Sequence, residues 1–219
     1  MSTSTSKKID QHPLLAREGW FYLFLAIVAS FAAYYWLNAA IFVVFFLLAL
    51  FVLQFFRDPH RAIPQEENVI VSPADGKVIF VGEVNDPYLD RVALKISVFM
   101  NVFSVHSNRS PLTGTVKAVE HYPGKFVNAA LDKASEANER NAIVLEDEQG
   151  REIVSVQVAG LVARRILCYV EPGDALERGQ RYGFIRFGSR VDLFLPTDFK
   201  TRVSIGDNVS SGRDILGGF

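Results

Sequence analysis

The feature that most constrains this chain is a run without charge: from Trp20 to Phe56 there is no Asp, Glu, Lys, Arg or His. A single helix over that run would extend about 55 Å at 1.5 Å per residue, against about 30 Å of bilayer hydrocarbon. Two helices fit better. Trp20 to about Ala33 and Ala39 to Phe56 are expected as two short spans or a re-entrant hairpin, with Tyr34-Tyr35-Trp36-Leu37-Asn38 as an aromatic interfacial turn. A cleaved signal peptide fits poorly, because the apolar run is too long and a polar tail precedes it. Lys7, Lys8 and Arg17 come before the run and Arg57 and Arg61 after it, so the excess of positive charge places both ends in the cytoplasm. The expected organisation is a polar tail over 1–18, a membrane hairpin over 19–56, a juxtamembrane linker over 57–68 and a β-rich domain over 69–219. That domain is expected on the cytoplasmic face of the cell membrane.

From Val69 onward the chain changes to short β-branched runs cut by Gly, Pro and Asp, such as Val92-Ala-Leu-Lys-Ile-Ser-Val98 and Ile153-Val-Ser-Val-Gln-Val158. Two internal echoes stand out. Ser72-Pro-Ala-Asp-Gly-Lys-Val repeats as Ser110-Pro-Leu-Thr-Gly-Thr-Val, and Gly173-Asp-Ala-Leu-Glu-Arg-Gly179 as Gly206-Asp-Asn-Val-Ser-Ser-Gly212. Duplicated turn-and-strand units predict a mainly β domain, with a minor α part, arranged as a duplicated hybrid barrel behind the helical hairpin. Ala, Leu and Glu are dense over residues 127–138, which predicts a helix there. The 23 Lys and Arg nearly balance the 24 Asp and Glu, and no basic block gives a footprint for nucleic acid, so that partner is set aside. The one cysteine, Cys168, has no partner for a disulfide or a cysteine metal site, and no metal is expected.

Chemistry concentrates at Gly188-Ser189, inside the strand-like run Tyr182–Pro196. Gly-Ser between strands ordinarily marks a bulge or tight turn. If the backbone bends there, the serine hydroxyl also lies against its own preceding carbonyl and can cut the chain. His106 sits where a strand gives way to a polar turn, beside Asn108 and Arg109; it reads either as a surface turn histidine or as a ring projecting into a cleft, where a histidine can titrate near neutral pH. Asp75 precedes a glycine in a turn; its plain role is an Asx turn, and its sharper role is to support a histidine acting on Ser189. His121 is open between contacting a phosphate, supporting the fold and having no role.

Phe56-Arg-Asp-Pro59, Ser72-Pro-Ala-Asp-Gly76, Val105-His106 with Asn108-Arg-x-Pro111, Pro123-Gly-Lys-Phe126, Glu139-Arg-Asn141 and Phe187-Gly-Ser-Arg190, together with the apolar hairpin, resemble phosphatidylserine decarboxylases of the short membrane-associated subfamily. The resemblance covers about Arg57 to Asp198. Long members usually have Leu-Gly-Ser-Thr at the processing site, and some have a second histidine three residues after the first; here that position is Arg109.

The resemblance implies that Ser189 attacks the Gly188 carbonyl to form an ester, with His106 as base and Asp75 supporting it. Elimination then leaves a chain ending at Gly188 and a chain of residues 189–219 that begins with a pyruvoyl group. That self-made cofactor is expected to form a Schiff base with the phosphatidylserine amine and to accept the electrons released with carbon dioxide, yielding phosphatidylethanolamine. Expected partners are phosphatidylserine, membrane lipids and the two cleavage products as a heterodimer, with a higher oligomer open. By charge alone, Arg109, Lys125 and Arg140, with His121, are the candidates for binding substrate. A competing reading is a membrane-tethered lipoyl-like carrier or interaction domain, in which Leu131-Asp-Lys-Ala134 presents Lys133 for modification. Within the enzyme reading an ether-linked phosphatidylserine analogue is the alternative substrate.

Overall fold

The computed structural model describes residues 13–124, 129–130, 137–160, 165–186 and 188–219. Lys125, Lys133, Phe187 and most of the helix expected over 127–138 lie outside the described residues. The chain divides into two compact units, one of Gln11–His60 and one built on Arg61–Phe219.

The first unit is a pair of helices, α1 (Trp20–Trp36) and α2 (Ala39–Phe55), each of 17 residues and so about 25 Å long. α1 runs three residues beyond its expected end at Ala33. Tyr34, Tyr35 and Trp36 contain no helix breaker, so the turn shrinks to Leu37-Asn38. Asn38 ends it as an N-cap, its Oδ1 accepting the Ile41 N–H at 3.1 Å. Arg17–Trp36 is long and apolar enough to cross a bilayer. The buried residues of α1 are small (Ala26, Ser30, Ala33), and Ala49 and Val52 are buried on α2. Small residues let helices approach closely where lipid removes the hydrophobic drive between them. Ser30 Oγ donates to the Ala26 carbonyl at 2.8 Å, while Phe21, Phe24, Phe31 and Leu47 stay exposed. The open end is tied by Ala16 N–H donating to the Phe56 carbonyl and Asp58 N–H to that of Leu14.

The second unit is mainly β. In chain order its strands are β1 (Val69–Val71), β2 (Gly76–Asp86), β3 (Arg91–Met100), β4 (Ser107–Arg109), β5 (Gly114–Tyr122), β6 (Arg140–Glu146) and β7 (Glu152–Ala159). There follow β8 (Ile166–Cys168), β9 (Ala175–Leu176), β10 (Arg181–Ile185), β11 (Ser189–Leu195), β12 (Lys200–Thr201), β13 (Asn208–Val209) and β14 (Ile215–Gly218). The main sheet has the order β13-β2-β3-β11-β7-β6-β5-β9 and curls into a half-barrel; β1-β14-β12 and β4-β10-β8 form two smaller sheets.

The sequence echoes are a duplication in three dimensions. Gly173 N–H donates to the Val116 carbonyl as Gly206 N–H does to that of Val78, and Val116 N–H donates to Asp174 as Val78 N–H does to Asp207. Gly179 N–H reaches the Ser110 carbonyl as Gly212 N–H reaches that of Ser72. Ser72 and Ser110 each close their turn by donating to a carbonyl two residues on, both at 2.7 Å. β9 accordingly pairs with β5 as β13 pairs with β2.

Alternation splits the main sheet into two buried faces. Val191, Leu193 and Leu195 of β11 join the large core with Ile96, Val98, Met100, Ile143 and Ile153. Phe194 lies on the other face with Val144, Val154, Val156 and Val158. Ser189 shares the first face and Arg190 the second.

Candidate active site

Ser189 is the first residue of β11 and is held on both sides, opposite Met100 of β3 and Ala159 of β7. One residue earlier the chain turns away, because Gly188 has φ +64°. A Cβ added at Gly188 would meet nothing within 4 Å, so glycine is there for its backbone angle and not for space. The Gly188 carbonyl sits hard against Gly160: a Cβ built at 160 would lie 2.0 Å from its oxygen. Gly160 thus forms a cradle for the carbonyl that a serine at 189 would attack. Ser189 is fully buried, and its Oγ donates to Met100 Sδ at 4.0 Å, a weak acceptor.

His106 is also fully buried and stands at the entry to β4. Its carbonyl accepts the Ile185 N–H at 3.2 Å, which ties it to the strand that leads into Gly188-Ser189. Its Nδ1 lies 2.9 Å from the Ser104 carbonyl. A carbonyl only accepts, so Nδ1 carries the proton and Nε2 is the basic nitrogen. The group that orients this imidazole is therefore a backbone oxygen within its own turn.

Asp75 has other partners. Its Oδ1 accepts the Ser211 N–H at 2.7 Å and its Oδ2 pairs with Arg61 at 2.6 Å. The duplication explains the first contact: Thr113, which occupies the Asp75 position in the second repeat, accepts the N–H of Arg178, the counterpart of Ser211. Asp75 thus makes the turn contact its repeat position requires, and its charge goes to Arg61. The same loop still borders the serine, since a Cβ at Gly76 would lie 2.0 Å from the Phe99 carbonyl, next to Met100.

The residues proposed from charge do not converge. Arg109 is fully buried, its guanidinium donating to the Gly179 carbonyl at 2.9 Å. His121 is half exposed on β5, 3.9 Å from Glu139. Arg140 donates to the Tyr88 hydroxyl at 3.1 Å and lies over the Tyr122 ring. Burial pushes the Tyr88 phenol up to about 12, which keeps it protonated. Near Ser189, Gly160 and Gln157 were not singled out from sequence, and Asn108 only as a neighbour of His106 and part of its motif. Asn108 Nδ2 lies 4.0 Å from the same Met100 sulfur that Ser189 Oγ meets, and its Oδ1 accepts from Gln157 Nε2 at 2.8 Å.

Fold and site together define a mainly β enzyme domain with a buried serine behind a bent glycine. Comparison with known proteins carries this further. The phosphatidylserine decarboxylase family profile matches residues 48–217. A phosphatidylserine decarboxylase proenzyme of Ralstonia pickettii is 59% identical over 210 residues, 94% of this chain and 95% of its own. One from Paraburkholderia xenovorans is 55% identical over 205 residues, 94% of this chain and 97% of its own. The chain belongs to the phosphatidylserine decarboxylase family, and is by that membership a carboxy-lyase of phospholipid synthesis.

Proposed function

We propose that the chain is made as a precursor, cuts itself between Gly188 and Ser189, and then decarboxylates phosphatidylserine to phosphatidylethanolamine. The observation that carries this reading is the pairing of a left-handed Gly188 with a side-chain-free Gly160 beneath its carbonyl, directly before a buried serine. Such a cradle holds the carbonyl in place while the adjacent strand fixes the nucleophile.

His106 Nε2 takes the Ser189 hydroxyl proton, and Oγ replaces the Ser189 nitrogen on the Gly188 carbonyl carbon, giving an ester and a free amine. Loss of the Ser189 α-proton expels the Gly188 carboxylate, and water displaces the remaining nitrogen as ammonia, leaving a pyruvoyl group on residue 189. When present, that group supplies a conjugated carbonyl that binds a primary amine and accepts the electron pair released with carbon dioxide. The chain's own residues do the rest. His106 delivers the proton that replaces the lost carboxylate.

The two products stay together in this reading because residues 189–219 supply β11 between β3 and β7, β13 on β2, and β14 on β1. Cutting one peptide bond leaves those ladders in place, which supports a heterodimer. The helical hairpin anchors the enzyme where its substrate resides, since each buried CH₂ of a lipid tail holds it in the bilayer by about 0.8 kcal/mol. Flanking basic residues support a cytoplasmic placement. Intact mass of the purified full chain tests the proposal. Wild type is expected as two pieces, 1–188 and a pyruvoyl-bearing 189–219, and Ser189→Ala as one whole, inactive chain; an active wild type that stays whole overturns it.

A further inference from the structure

On the large-core side of the half-barrel three carboxamides are linked to one another: Asn141 at 4% exposure, and Gln157 and Asn108 at 0%. They form one directed chain. Asn141 Nδ2 donates to Gln157 Oε1 at 3.2 Å, and Gln157 Nε2 donates to Asn108 Oδ1 at 2.8 Å. The Leu167 carbonyl also accepts from Gln157 Nε2, at 3.4 Å, which fixes that amide's orientation because a carbonyl cannot donate. Space for the Gln157 amide comes from Gly183, where a Cβ would lie 2.5 Å from Nε2. Asn108 must then turn its oxygen to Gln157 and its NH₂ toward Met100, whose sulfur Ser189 Oγ also meets.

At that end the hydrogen bonding is poor. Asn108 Nδ2 and Ser189 Oγ each lie 4.0 Å from Met100 Sδ, so two buried donors share one thioether. A thioether is a weak acceptor on an unbranched, adaptable side chain, whereas buried amide donors are normally matched by oxygen. A donor oriented through two side chains and left facing sulfur is placed for an oxygen that arrives later.

We infer that Asn108, held by Gln157, is a positioning residue whose NH₂ donates to the oxygen carried by residue 189. In the precursor that oxygen is the Ser189 hydroxyl: accepting from Asn108 occupies one lone pair and leaves the O–H directed to the base. After maturation it is the carbonyl oxygen on the same residue, which the donor polarises for attack by a primary amine. Met100 yields by rotating its thioether aside. The inference rests on the proposed self-cleavage.

The test follows the full chain made by cell-free synthesis, with intact mass recording precursor and products over time. Asn108→Leu keeps the side chain's approximate shape and removes the donor, and is expected to slow cleavage by about a hundredfold, as loss of a donor to a reacting oxygen does elsewhere. Gln157→Met leaves Asn108 in place without its anchor and is expected to slow cleavage by a smaller factor. On processed protein, hydroxylamine adds to the carbonyl as an oxime seen by mass, and both variants are expected to react more slowly. Unfolding midpoints measured in a Ser189→Ala background separate folding from cleavage. Folded Asn108→Leu that cleaves at the wild-type rate overturns the inference; should that variant fail to fold, Gln157→Met cleaving at the wild-type rate overturns it. Wild type that never cleaves instead sinks the self-cleavage reading on which the inference stands.

Discussion

Ser189 and Arg190 are neighbours on one strand, equally buried, and their surroundings are opposites. Arg190 faces the second side of the sheet, where its guanidinium clasps Asp192 with both nitrogens at 2.8 and 3.0 Å and donates to the Ala129 carbonyl at 2.9 Å. Lys95 adds a second cation to Asp192 at 3.2 Å, over the Phe80 and Phe194 rings. Ser189 faces the first side, where among the described residues its hydroxyl meets only a thioether within bonding reach. Close ion pairing fixes structure, because separating the partners would strand a buried charge. Poor satisfaction leaves a group able to react. The strand thus carries a rigid anchor and a reactive hydroxyl at successive positions, on opposite faces.

The largest expected effect comes from breaking the anchor. Asp192→Ala strands the buried Arg190 and the part-buried Lys95 and is expected to cost about 3–5 kcal/mol of stability, read by urea unfolding in a Ser189→Ala background. In the same background Met100→Leu, a volume-conserving change on the Ser189 face, should cost under about 1.5 kcal/mol. A comparable loss from both would erase the contrast.

Next comes the cradle. Gly160→Ala drives a Cβ into the Gly188 oxygen and is expected to slow cleavage about ten- to a hundredfold, the rate equivalent of about 1–3 kcal/mol of overpacking. Gly188→Ala meets open space and only the backbone cost of the left-handed conformation, about 1–2 kcal/mol, so its effect on cleavage should be the smaller of the two glycine changes. A full-speed Gly160→Ala would deny that the carbonyl needs this seat.

The smallest effect sharpens the comparison from outside the core. Burial acts to raise the Asp214 carboxyl, but the Arg213 guanidinium and the Ser210 N–H outweigh it and hold the group below the ordinary aspartate value. A lowered folded value means the unfolded chain binds the proton more readily. The stabilisation is therefore complete above the ordinary aspartate range near pH 4, and it fades as pH falls toward the lower folded value. Asp214→Asn should lose less than about 1 kcal/mol at pH 7, as partly exposed pairs do. Unfolding curves across pH should show that gap closing in acid.

What was legible in the sequence was whatever local chemistry decides. The missing charges over Trp20–Phe56 specify apolar helices, and the doubled Ser-Pro-x-x-Gly and Gly-Asp-x₄-Gly units specify the duplicated turns that frame the half-barrel. The turn at Tyr34–Trp36 was misread because aromatic residues suit an interface and a helix equally. Asp75 was more legible than it seemed: aligning the repeats sets it against Thr113, and both accept an N–H from the same turn position. What Gly160, Asn108 and Gln157 do was hidden for a different reason. Each acquires its role from a strand distant in sequence, and no local pattern marks a glycine beneath a carbonyl or an amide aimed at a sulfur.

The central place of β11 gives the proposed maturation an order in time. Gly188 has its seat only when Gly160 has arrived behind β7, and Ser189 is fixed only when β3 and β7 have closed on either side. A nascent or misfolded chain lacks the geometry for cutting and so never acquires its reactive carbonyl. On the proposed self-cleavage, activation would work as a proofreading step: the catalyst would be armed only in molecules that have already folded correctly.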